Sequence, residues 1–87
     1  MALFQQTARA AANETPAHHL IEVTPTSGGW AVTADAVEVM VFRRGGQAEQ
    51  SARRLGAAMA QAGSDAEIRI HLKDGSLGGR WVCHPPR

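Results

Sequence analysis

Cysteine occurs once in this 87-residue chain, at Cys83, so no disulfide can close within it and nothing argues for an oxidising compartment. Long apolar runs are missing: no stretch approaches the ~18 residues that a membrane-spanning helix requires. The opening M-A-L-F-Q-Q-T-A-R-A-A-A-N has no basic region leading into an apolar one, so no signal peptide is expected. Charge of one sign is missing too. Nine Lys+Arg stand against eight Asp+Glu, a formal +1 that is too even for bulk attraction to nucleic acid or a membrane. Lysine itself is almost absent: apart from Lys73 every cation is arginine, which suits planar or bidentate contacts or reflects genomic composition. There is no internal repeat, no paired carboxylates, no phosphate-binding glycine loop and no Ser-His-Asp arrangement. These absences leave a cytoplasmic, non-enzymatic protein with no cofactor and no membrane partner as the expectation.

Length allows one domain, with only ~60% of the unfolded surface buried on folding. A hydrophobic content of 44% is enough for a core and argues against disorder throughout. In residues 1–17, Leu3, Phe4, Ala8 and Ala11 make a weak helical stripe that Asn13-Glu14-Thr15-Pro16 ends. A flexible or weakly helical arm is expected there. A helix docked on the sheet or on a second subunit is the alternative.

Residues 18–84 read as one α+β domain, with 85–87 as a tail. Side chains alternate in strands with period two. His19–Thr24 alternates in this way and is broken by Pro25-Thr26-Ser27-Gly28-Gly29. Trp30–Thr33 follows, then the tight link Ala34-Asp35-Ala36 and a third strand, Val37–Phe42, apolar on both faces near its end. Ala48, Ala52, Leu55, Met59 and Ala62 then recur at helical spacing, with Gly63 where a C-terminal cap belongs. Gly56 inside that helix costs about 1 kcal/mol relative to Ala, and close packing on a sheet would explain it. In Ala66–Gly75, Ile68, Ile70 and Leu72 share one face, and Glu67, Arg69, His71 and Lys73 the other. Asp74-Gly75 marks a hairpin leading to a fifth strand at Arg80–His84, which Pro85-Pro86 stops. The expected architecture is an antiparallel sheet in the order β-β-β-α-β-β, with one helix on one face.

Gly29-Trp30-Ala31-Val32, Gln47-Ala48-Glu49 with Ala52 and Leu55, and Ile70-His71-Leu72-Lys73-Asp74-Gly75 together resemble a small bacterial family known as domain of unknown function 2188. That family's pattern is an opening strand, a G-W-x-V strand, a helix beginning Q-A-E and an I-H-x-x-D-G hairpin. The resemblance covers residues 19–77. The apolar third strand and the Trp81–His84 tail depart from it. It implies a compact module without an established activity, and it carries over no functional residues.

Four constellations could carry function. Arg69, His71, Lys73 and Arg80, with Arg43, could form a basic sheet face that binds nucleic acid, as sheets can in a groove. Alternatively Arg69 and Lys73 pair with Glu67, Glu22 or Glu38 and merely keep that face soluble. His18, His19, His71, Cys83 and His84 are the metal-ligand types present. The close pairs are adjacent and so face opposite ways on a strand, and no metal site is expected. Cys83 with His84 or His71 has no third group to orient the base, which argues against catalysis. Finally Met40, Phe42 and Trp81 form a candidate association patch: if they face away from the helix, either the arm's Leu3 and Phe4 or a second subunit must cover them. The leading expectation is a non-enzymatic interaction module that self-associates through its sheet. The alternative is weak nucleic-acid binding through the basic face.

Overall fold

The computed structural model describes residues 18–86; the arm expected at 1–17, with Leu3 and Phe4, lies outside them. Five strands and one helix follow in the expected order: β1 (His18–Pro25), β2 (Trp30–Ala34), β3 (Val37–Phe42), α1 (Gly45–Gln61), β4 (Asp65–His71) and β5 (Leu77–Cys83). They form a single sheet of order β3-β2-β1-β4-β5.

The sheet is mixed, which corrects the expectation of an antiparallel one. β1 and β4 run parallel, with Ile21 beside Ile68 and Val23 beside Ile70, and every other pairing is antiparallel. Chain direction explains this. In a three-strand meander both free edges, β1 and β3, point the same way. A helix that spans the sheet carries the chain back to its starting end, so β4 must be parallel to whichever edge it joins.

Short-range chemistry closes the turns. Asp35 and Ala36 both have positive φ (51° and 70°) and form a two-residue hairpin loop between the paired residues Ala34 and Val37. Asp35 tolerates that region; Ala36 occupies it at a cost of about 1 kcal/mol. At the end of α1, Gly63 (φ 100°) donates its N–H to the Ala60 carbonyl while Ser64 donates to Met59, a Schellman cap. In the β4–β5 hairpin, Asp74 accepts hydrogen bonds from the Ser76 N–H and hydroxyl, which hold its carboxyl below the usual range. Leu72, expected on the core side, lies past the end of β4, 44% exposed and packed beside Gly78.

One face of the sheet makes the core: Ile21, Val23, Val32, Ala66 and Ile68 pack against Ala48 and Ala52 of α1. Each buried Val or Ile contributes about 1.5–3 kcal/mol. The helix uses a different stripe from the one expected. Its buried residues are Ala48, Ala52, Gly56 and Ala60, four apart, whereas Leu55 and Met59 flank the contact and Ala62 is exposed. The line of closest approach selects small residues, and larger apolar ones fit only beside it. Gly56 shows how close: a Cβ there would stand 3.0 Å from Ile68 Cδ1 and 3.2 Å from Cys83 Sγ.

Candidate functional site

The face opposite the helix carries the polar side chains of β1, β4 and β5. Directly opposite residues share a face, so the register places Arg69 next to both Arg80 and Glu22, and Glu67 between Leu20 and Val82. Arg69 and Arg80 are like charges set side by side, which by itself is unfavourable. Glu67 resolves the conflict: both arginines donate Nε–H to its Oε2 at 2.7 Å. His18 Nε2 stands 4.0 Å from the other oxygen. The Glu67 side chain is only 8% exposed beneath these partners. The hydrogen bonds from Arg80 and then Arg69 lower its carboxyl to about 2 and raise the Arg80 guanidinium.

The remaining titratable groups pair in the same manner. His71 Nε2 and Glu22 Oε2 share a hydrogen bond of 2.9 Å, and His84 Nδ1 lies 3.2 Å from Asp65. His19 Nδ1 lies 2.7 Å from Asp35, which also accepts the Leu20 N–H at 2.8 Å. The His19 contact first, then the Leu20 N–H, hold the Asp35 carboxyl below its ordinary value. Every histidine of the chain therefore faces a carboxylate, and among the described residues no three His, Cys, Asp or Glu side chains converge as metal ligands.

Of the candidate nucleic-acid residues, Arg69, His71 and Arg80 are thus engaged with Glu67 and Glu22, while Lys73 has no ion-pair partner among the described residues. Lys73 and His71 instead border an open groove of about 400 Å³ with Glu22 and Thr24 at the ends of β1 and β4. The sequence signal for the network was partly visible. Glu67 and Arg69, two apart on a strand, must share a face, whereas Arg80 joins them only through the hairpin register.

The three association candidates are not brought together. Trp81 lies opposite Ile68 in β5, whereas Met40 and Phe42 lie opposite Val32 and Trp30 in β3, at the other end of the sheet. Their neighbours belong to the core, so all three are on the helix side. Trp81 and Phe42 are half-buried there, and the Arg53 guanidinium sits over the Trp81 ring, 4.2 Å from its centre. Of the exposed apolar residues a smaller group, Leu72, Leu77 and Val82, lies on or beside β5, and the largest runs along β3: Val37 (66% exposed), Val39 (53%), Met40 (51%) and Val41 (49%). Beside them Met40 and Phe42 floor a second groove of about 410 Å³, rimmed by Gln47, Gln50, Ser51 and Arg54 of α1. A register shift near Val32 and Thr33 leaves Val39 without a partner in β2.

No helix among the described residues is long and apolar enough to cross a membrane. Set against protein-family models, curated proteins and solved structures, the chain matches none of them.

Proposed function

We propose that this protein is a small, non-enzymatic interaction module of the bacterial cytoplasm, which binds through its sheet and associates with itself. One observation carries the reading: of the seven large apolar side chains left exposed among the described residues, four lie together on one edge strand, β3, while Leu72, Leu77 and Val82 lie on or beside the other edge strand, β5. An unpaired strand of this composition is a template for another strand. The lone Cys83 is in keeping with a reducing compartment. Kinship with domain of unknown function 2188 is part of the proposal and rests on the three motifs, now located in β2, at the start of α1 and in the β4–β5 hairpin.

Sedimentation of the full chain from low micromolar to near-millimolar concentration tests it. A mass that rises with concentration is expected; a monomer throughout would remove self-association. The nucleic-acid alternative draws on Arg69, His71, Lys73 and Arg80 sharing one end of the open face. Arg69, Arg80 and Lys73 against Glu67 and Glu22 leave one local positive charge. Binding to duplex DNA that weakens steeply with salt, and further in Arg69→Ala, would favour that alternative. Absence of binding at low salt is the expected result.

A further inference from the structure

We infer that β3 pairs antiparallel with β3 of a second copy of this chain, joining the two sheets about a two-fold axis beside Val41. The inference rests on the reading of the sheet as the contact surface, and names the edge, the occupant and the polarity.

Charge selects both occupant and polarity. Glu38 stands near the start of β3, and Arg43 and Arg44 follow its end. None of the three has an ion-pair partner among the described residues. A parallel copy would set Glu38 beside Glu38 and the arginines beside each other. An antiparallel copy brings each Glu38 toward the other copy's Arg43 and Arg44. The strand is therefore complementary to itself in one direction only, as a two-fold contact requires.

Facing limits the registers to those that set a residue opposite its own copy, and among these Val41 opposite Val41 sets Glu38 opposite Arg44. Directly opposite residues of an antiparallel pair share a face, and Met40 and Phe42 both lie on the helix side, opposite Val32 and Trp30. With Val41 opposite Val41, Met40 of each copy meets Phe42 of the other. A shift by one residue would oppose Met40 to Val41, whose side chains point to opposite faces. In the matched register both helices lie on the same side. The groove between β3 and α1, about 410 Å³ in each copy, then runs into its counterpart over Met40 and Phe42 from both chains. Val37, Val39 and Val41 lose exposed surface along the same seam. A contact of one short strand is small beside the ~1,600 Å² of a standard interface, so a dimer in the micromolar range is expected.

The test uses the full chain, with circular dichroism to establish that each variant is folded. Sedimentation of Val41→Lys is expected to show association weakened by more than about tenfold, with Val82→Lys on β5 unchanged. In a Cys83→Ala background, mild oxidation should link Val41→Cys into a covalent dimer and leave Val82→Cys monomeric. A wild-type dimer that is indifferent to Val41→Lys and does not cross-link at Val41→Cys overturns this inference while leaving association through the sheet standing. A wild-type monomer overturns both. If in that monomer Val41→Cys also resists maleimide, residues 1–17 rather than a second copy cover the strand.

Discussion

At the β5 edge the sheet carries Arg80 tied to Glu67, a register shift near Ile70 and His71, and a following Pro85-Pro86. At the β3 edge it carries Val37, Val39, Met40 and Val41, all at least 49% exposed, with Glu38 as the only charge within the strand. Charge, bulges and proline are the usual means of blunting a sheet edge. β5 has all three within it or beside it; β3 has a bulge and the charges Glu38, Arg43 and Arg44, but no proline and four exposed apolar side chains. Each edge also has its own tryptophan anchor. Trp81 packs under Arg53 on the β5 side, whereas Trp30, beside Phe42, packs against Gly45 at the start of α1. On the β5 side a cation covers the tryptophan ring, and fewer apolar side chains of the strand, Leu77 and Val82, stay exposed. The other side is held only from within, and its outer surface remains apolar.

This contrast can be broken by experiment. The largest expected effect is from Trp30→Ala, a loss of about 3 kcal/mol in denaturant unfolding, with faster amide exchange in β3 and little change in β5. Trp81→Ala should cost about 2 kcal/mol, because the ring is half-buried and loses one cation–π contact, and should loosen β5 instead. If both variants speed exchange equally across the sheet, the edges are not separately anchored. Ala36→Gly, in the β2–β3 loop, should raise stability by about 0.5 kcal/mol: it relieves a positive φ at some cost in unfolded-chain entropy. An unchanged or lower unfolding midpoint would contradict that. The smallest effect is one of pH. Glu67 titrates at about 2 in the fold against an ordinary 4.5, so its contribution is complete above the ordinary value and is lost as pH falls through the folded one. Glu67→Gln should flatten that part of the acid-unfolding curve, and an identical curve would show that the arginine pair contributes nothing.

Much of this contrast could be read along the chain. Val37–Phe42 has no polar alternation at its end, and that pattern marks a strand with two apolar sides wherever it is placed. The same pattern could not say that β3 is an edge, because the edge position depends on β4 joining β1 rather than β3. Glu67 and Arg69 were on one face by spacing alone, but the third member, Arg80, needed the hairpin register, which the bulge near Ile70 and His71 shifts. Met40, Phe42 and Trp81 were grouped by chemistry as one patch. The strand order separates them to opposite ends of the sheet.

By itself the sequence determined the elements and their order, because periodicity, turn residues and caps act over a few neighbouring residues. It determined the Asp74-Gly75 hairpin and the Gly63 cap for the same reason. Only the tertiary structure decided which strands became neighbours, that β1 and β4 run parallel, and that the helix touches the sheet along Ala48, Ala52, Gly56 and Ala60. Those outcomes depend on contacts between residues far apart in the chain, where volume at closest approach and the direction of the returning chain select among arrangements that local pattern leaves equal.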